Sequence, residues 1–410
     1  MQAVVYRGVG DIALEEVPEP RIEEPTDAVV RITTSAVCGT DLHMVRGTMP
    51  GMVPGTVLGH EAVGVVEEVG PEVRNLRPGD RVVIPSTIGC GSCSYCRAGY
   101  YAQCDRANPN GPAAGTCFFG GPRATGPVNG LQAEYARVPF AHTGPVKLPE
   151  ILSDDDAILL SDIFPTSWFG ARLAEVAEGD TVAVFGTGIV GQLAIASARL
   201  QGAGRVLAID AIPSRLEMAR THGAEVINFD EEEPVQAVRD LTDGTGVDRA
   251  IEAVGVDANR ARSGPAGQVP SAVAEAFDRE REQVAPQINQ QDGTWRPGDA
   301  PSQPLQWAVE ALAKAGTLGI IGVYPPEDRS FPIGLAMNKN LTLKMGNCNH
   351  RRYLPHLIDM VASGRMGLAA DVTQRQPLTD VLDAYATFDR REPGWVKVAL
   401  QPAGAPTGRG

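Results

Sequence analysis

Thr181-Val182-Ala183-Val184-Phe185-Gly186-Thr187-Gly188-Ile189-Val190-Gly191 is the stretch on which the fold turns. Five residues of strand-forming character run into Gly-x-Gly-x-x-Gly, and a segment with an apolar stripe, Ile189 to Leu200, follows directly. In that setting Gly186 permits the tight turn, Gly188 lets the backbone approach a pyrophosphate, and Gly191 lets helix and strand pack closely. The phosphates then rest on free N–H groups at the helix start, those of Ile189 and Val190. Arg205 to Asp210 reads as the next strand, and Asp210 ends it 19 residues after Gly191. An acid there accepts hydrogen bonds from the adenosine ribose hydroxyls and repels a 2′-phosphate, which points to NAD rather than NADP. Arg215, five residues on, is the nearby cation within reach of that ribose.

Outward from this stretch, strands and helices alternate. Thr166 to Ala177 precedes it as a helix; Ser214 to His222 (helix), Glu225 to Phe229 (strand) and Val247 to Ile251 (strand) follow. Pro304 to Ala315 (helix) and Thr317 to Val323 (strand) resume the pattern after a break at 258–304. The alternation predicts a doubly wound parallel sheet with helices on both faces. The break is rich in Gln, Pro, Ala, Arg and Glu, with a surface helix expected from Ala272 to Val284. It reads as an insertion, either a solvated decoration or a flap over the cofactor. Residues 1–150 differ in texture. Val4 to Tyr6, Ala28 to Ile32, Ala62 to Val66 and Arg81 to Ile84 are short β-branched runs separated by turns such as Pro78-Gly79-Asp80, with no long helical period. The chain closes on a strand, Trp395 to Leu400, and a tail, 402–410, expected to be disordered.

Four of the seven cysteines fall in one run, Cys90, Cys93, Cys96 and Cys104, spaced C-x2-C-x2-C-x7-C. Four thiolates from one small loop suit a tetrahedral zinc; the competing reading is two disulfides. The N-terminus runs straight into a strand pattern with no leader, and no window approaches ~18 consecutive apolar residues, so the expected compartment is the reducing cytoplasm and the metal reading is preferred. A net charge of −14 over 410 residues argues against nucleic acid or an anionic membrane as a partner and suits an enzyme with a small-molecule substrate.

Three further segments carry metal-ligand chemistry: Cys38-Gly39-Thr40-Asp41-Leu42-His43, Gly59-His60-Glu61, and Leu160-Ser161-Asp162-Ile163-Phe164-Pro165. Joined with the glycine loop and the cysteine run, they resemble the zinc-dependent medium-chain alcohol dehydrogenase family over nearly the whole chain. Cys38 to Gly47, Ser161 to Thr166, and Phe331 to Gly334 with Met337-Asn338-Lys339 look like its formaldehyde-dehydrogenase-like branch. The loop 105–130 and the insertion 258–304 depart from the better-known members.

The resemblance implies a GroES-like catalytic domain over 1–160 with a structural zinc lobe at 89–105. It implies a Rossmann coenzyme domain over 161–325 carrying the insertion, and a return to the catalytic domain over 326–410. A catalytic zinc is expected on Cys38, His60 and Asp162 with a fourth position open, Glu61 being the rival carboxylate behind it and Asp41 the acceptor for the other nitrogen of His60. A second, closed zinc is expected on the four-cysteine lobe. Thr40, the nicotinamide ribose and His43 form the implied proton route, and Gly39, Val254, Ile321 and Val323 are expected along the dinucleotide. The implied activity is hydride transfer between a small alcohol or aldehyde hydrate and NAD. Aldehyde dismutation with tightly held NAD and polyol or amino-alcohol oxidation share these residues, and a non-catalytic NAD-binding protein is the reading from another class. A homodimer or homotetramer is implied, with 317–323 as the sheet edge that pairs between subunits.

Overall fold

The computed structural model describes all residues except 112, 288, 290–293 and 404–410. The expectation for the tail therefore lies almost wholly outside the described residues. Two sheets organise the chain. One is six-stranded and parallel, in the order Glu225–Asn228, Arg205–Asp210, Thr181–Phe185, Val247–Glu252, Leu312–Ile320, Thr342–Met345. The strand order reverses between Thr181–Phe185 and Val247–Glu252, which opens a crevice at their carboxyl ends. The glycine loop sits there. Gly186 has φ +85°, and a Cβ on Gly191 would collide with the Gly186 carbonyl oxygen, so neither position accepts a side chain.

The second sheet runs Gln374–Pro377, Val398–Gln401, Ala28–Val37, Ala62–Val69, Arg81–Ile84, Val146–Lys147, with Tyr135–Val138 also paired to Ala28–Val37. All its pairings are antiparallel except that of Gln374–Pro377 with Val398–Gln401. The last strand of the chain is thus built into the sheet of the first. Between the two sheets one apolar core gathers Ala36, Val63 and Val83 with Leu160, Phe164, Leu193, Leu354 and Ile358.

Four sequence expectations change. Strand Leu312–Ile320 is internal, flanked by Val247–Glu252 and Thr342–Met345, so 317–323 is not a sheet edge. The edge on that side is Thr342–Met345, a four-residue strand with both ends exposed and the middle half-buried, whose Thr-Leu-Lys-Met sequence carries no apolar run. For the same reason the parallel sheet continues past 325, where the sequence reading ended it. The β-rich reading of 1–150 also missed a helix, Gly39–Arg46, whose eight residues span little more than two turns. The helix expected from Thr166 instead starts at Ile163 and runs to Leu173, directly after another, Asp154–Ser161, capped by the Ser153 hydroxyl. In the insertion, a helix runs from Ser271 to Val284 as expected. Among the described residues no helix is long and apolar enough to cross a membrane.

Candidate metal centre and cofactor cleft

The first donor cluster is assembled from chain breaks. Cys38 ends strand Ala28–Val37 and caps helix Gly39–Arg46; the Asp41 carboxylate accepts the Cys38 N–H at 2.9 Å. Asp162 is the single non-helical residue between Asp154–Ser161 and Ile163–Leu173, with φ −140°. His60 and Glu61 immediately precede strand Ala62–Val69. Ligand atoms of Cys38, His60, Glu61 and Asp162 all lie within 4.8 Å of one another. One thiol, one imidazole and carboxylates, all buried, form a donor set that fits zinc.

Each donor is oriented from behind. His60 Nδ1 lies 3.1 Å from Asp41 Oδ1, which leaves Nε2 on the side of Asp162 Oδ2, 3.7 Å away. Asp41 is itself held by Gln132 Nε2 at 3.1 Å, and Gln132 Oε1 accepts from the Tyr385 hydroxyl at 2.8 Å. The Asp162 Oδ2 atom faces the Cys38 sulfur at 4.0 Å, while Oδ1 accepts from the Ser86 hydroxyl at 2.9 Å and lies 2.7 Å from His350 Nε2. Burial works against the Asp162 charge, yet the bond and charge of His350, with His60 and Ser86, hold its pKa far below the usual carboxylate range. Glu61 faces Lys397 Nζ at 2.6 Å through both oxygens, and both side chains are fully buried. This ion pair ties the segment before Val398–Gln401 to the cluster. An ammonium already engages both Glu61 oxygens, which leaves Asp162 the better carboxylate donor.

A cleft of about 1000 Å3 runs from this cluster to the glycine loop. It is lined by Cys38, Gly39, Thr40, His43, His60 and Asp162 at one end. Gly186, Gly188, Ile189, Val190, Asp210 and Arg215 line the other. Val254, Ile321 and Val323 border it as well; Gly191 and Glu61 stand behind its wall. His43 is buried, its Nδ1 2.8 Å from Asp257 Oδ2 and 3.0 Å from the Thr48 hydroxyl. The Asp210 carboxylate accepts from Thr187 N and Oγ1 at 2.7 and 2.9 Å and from the N–H groups of Ala211 and Ile212 at 2.7 and 3.0 Å.

The second cluster is the lobe. Cys90, Cys93, Cys96 and Cys104 are free thiols whose sulfurs lie within 4.8 Å of one another, and no disulfide links any of the seven cysteines. Burial is opposed at Cys90 by the Ser92 hydroxyl and amide and the Cys93 amide, which bring its pKa down to about 6; burial and the neighbouring Cys104 charge push Cys96 strongly up. Such a crowd of sulfurs ionises together only around a cation.

Sequence reasoning missed Ser86, His350, Asp257 and Lys397. His350 was open to a histidine census, since the chain has six. The other three are ordinary residue types in unremarked segments and acquire meaning only from the partners that the fold brings to them.

This fold and donor set define a class, and the chain belongs to it: the zinc-type alcohol dehydrogenase family. Residues 24–150 match the Alcohol dehydrogenase GroES-like domain and residues 190–263 the Zinc-binding dehydrogenase family. The chain is 35% identical over 406 residues to the uncharacterized zinc-type alcohol dehydrogenase-like protein AdhB of Bacillus subtilis (strain 168), covering 98% of this chain and 100% of that one. It is 32% identical to the glutathione-independent formaldehyde dehydrogenase of Pseudomonas aeruginosa (strain LESB58), covering 96% of each. Among solved structures it resembles alcohol dehydrogenase TADH from Thermus sp. ATN1, with TM-score 0.77 and 35% identity over 98% of this chain and 100% of that one.

Proposed function

We propose that the protein is a zinc-containing, NAD-dependent dehydrogenase of a small alcohol or aldehyde hydrate. The observation that carries this reading is one cleft with a Cys-His-Asp donor cluster at one end and a pyrophosphate-shaped glycine loop at the other. Zinc on Cys38, His60 and Asp162 would supply a Lewis acid for the substrate oxygen, and NAD the hydride acceptor.

The chain's own residues do the rest. Thr40 lines the cleft between donor cluster and dinucleotide and takes the substrate proton at its hydroxyl. His43 receives it for release; its Nδ1 is occupied by Asp257 and Thr48, which leaves Nε2 for the exchange. Phe118, edge-on to His60 with centroids 6.1 Å apart, helps keep the reacting end dry. The lobe at 90–104 has no acid–base partner and serves as the structural zinc site. A homodimer or homotetramer is part of the proposal. It is supported by exposed Ile333, Met337 and Met345 on and near the edge strand.

One observation favours aldehyde dismutation as the second reading. The insertion is anchored to the helix Val381–Asp389: Trp295 N donates to Asp389 Oδ2 at 2.9 Å and its ring lies 6.3 Å from that of Tyr385. A pinned insertion slows dinucleotide exchange, and recycling NAD in place then becomes efficient. The deciding experiment assays zinc-loaded enzyme for NADH formation with short alcohols, polyols, and formaldehyde with and without thiols. Dismutation is scored as alcohol plus acid without net NADH. Absence of turnover in every arm would sink the enzymatic reading, and NAD retained through purification would favour dismutation.

A further inference from the structure

The insertion closes on itself at its base. Ala300 N donates to the Ala258 carbonyl oxygen at 3.0 Å, Arg260 N to Asp299 Oδ1 at 2.7 Å, and Gly298 N to Asp257 Oδ1 at 3.1 Å. A Cβ on Gly298 would collide with the backbone of Asp257 and Ala258, so only glycine lets the two stems meet this closely. Asp257, the last residue before the insertion, is held by the stem through one carboxylate oxygen. The other, Oδ2, is left for the helix Gly39–Arg46.

Three donors meet Asp257 Oδ2. His43 Nδ1 lies 2.8 Å from it, Arg46 Nη1 3.0 Å and the Thr48 hydroxyl 3.2 Å. His43 and Arg46 share a helix face at i and i+3. Gly47 follows at φ +84° and turns the chain, so that Thr48 Oγ1 comes back within 3.0 Å of His43 Nδ1. Arg391 reaches the Asp257 carbonyl oxygen at 3.2 Å. The His43 and Asp257 side chains are both buried. Burial works against the Asp257 charge, but Arg46 and His43 hold its pKa well below the ordinary value, and the group stays ionised.

An ionised carboxylate only accepts hydrogen bonds. The proton of a neutral His43 ring therefore stands on Nδ1, and Nε2 is left as the free base. The same carboxylate stabilises the imidazolium that forms when Nε2 takes up a proton. An amide at this position would act in the opposite sense. Arg46 would hold its oxygen, its NH2 would face Nδ1, and the ring proton would move to Nε2, where no further proton could be received. We propose that Asp257, presented by the stem of the insertion, is the positioning residue that sets the His43 ring for proton release. The inference rests on the reading of the protein as a zinc- and NAD-dependent dehydrogenase, and it gives the insertion a role other than covering the cofactor.

The first test is ring-nitrogen NMR of the full chain with its six histidines isotopically labelled, recorded above neutral pH, with His43→Gln identifying the His43 signals. Expected is the Nδ1–H tautomer at His43 in wild type and the Nε2–H tautomer in Asp257→Asn. Melting curves check that each variant folds. Turnover of the zinc-loaded enzyme is then compared in a double-variant cycle. Asp257→Asn is expected to lower kcat about tenfold or more at low pH and to copy the pH–rate profile of His43→Gln, with the dissociation constant of NADH unchanged. In the His43→Gln background it is expected to add nothing, and Asp257→Glu is expected to recover part of the rate. Asp389→Asn removes the other carboxylate of Arg46 and controls for a loosened ion pair; its tautomer and profile are expected to match wild type. An Nδ1–H tautomer kept in Asp257→Asn overturns the proposal, and so does an effect of Asp257→Asn on kcat that persists in full without His43. A loss confined to NADH affinity also overturns it, since Asp257 would then serve the dinucleotide itself. Wild type that forms no NADH overturns the dehydrogenase reading, and this role with it, whatever the spectra show.

Discussion

At Asp210 the four acceptor positions of one carboxylate are filled by four donors, all from the chain itself. An adenosine ribose must therefore displace one of them, and the Thr187 hydroxyl is the donor free to rotate away. Asp210→Ser removes the acceptor and the repulsion of a 2′-phosphate while leaving Arg215 nearby. The expected outcome is NAD affinity lower by about tenfold, with NADP gaining relative to NAD, read as dissociation constants by NADH and NADPH fluorescence. For His43→Gln, turnover is expected to fall mainly at low pH, where hydroxide cannot replace the relay, with zinc content retained; an unchanged pH–rate profile counts against the relay. Cys38, His60 and Asp162 were joined only through the family resemblance, since each residue type taken alone is an ordinary one. His350 and Asp257 were not legible, because a histidine at a helix start or an aspartate in a turn has no meaning until its partner, 188 residues away in the case of Asp162 and His350, is known.

The elements explain why those side chains converge. A helix that starts at Gly39 aims Cys38 at the cluster from its cap, and the break at Asp162 turns one carboxylate out of an otherwise continuous helical run. The lobe is an element in its own right, with one four-residue helix, Ser94–Arg97, and little core beyond its sulfurs. Cys96→Ser is expected to lower the melting temperature and take zinc from about two to about one per chain, with little direct effect on the chemical step. Elemental analysis and calorimetry check it. The edge strand was hidden from a reading by hydropathy, since Thr342–Met345 is short and half-exposed whereas the internal strand before it is strongly apolar. Replacing exposed Met345 and Met337 with Asp is expected to shift the mass seen by light scattering toward the monomer; an unchanged mass would mean that subunits meet elsewhere.

Across the whole molecule, an arginine of the cleft wall ties together three distant segments. Arg46 reaches Asp257, beyond the parallel strand Val247–Glu252, at 3.0 Å and Asp389, at the end of helix Val381–Asp389, at 2.8 Å. Burial opposes the Asp257 charge, but Arg46 and His43 hold its pKa well below the ordinary value. A depressed carboxyl contributes stability that is present above its unfolded pKa of ~3.9 and is lost as pH falls toward the folded value. Thermal denaturation of wild type is thus expected to weaken across roughly pH 5 to 2, and Asp257→Asn to flatten that limb. At neutral pH the same variant is expected to lose about 1–3 kcal/mol, because Arg46 keeps Asp389 but loses its second carboxylate.

The donor set Cys38, His60 and Asp162 was read from a family resemblance, whereas the sequence by itself determined the parallel sheet, the glycine loop and the cysteine lobe. Those rest on local periods and spacings that physical chemistry reads within a few tens of residues. Only the tertiary structure decided which strand is the sheet edge and which groups orient each donor. Those depend on contacts between residues hundreds of positions apart, where charge and burial are set by neighbours that no local pattern encodes.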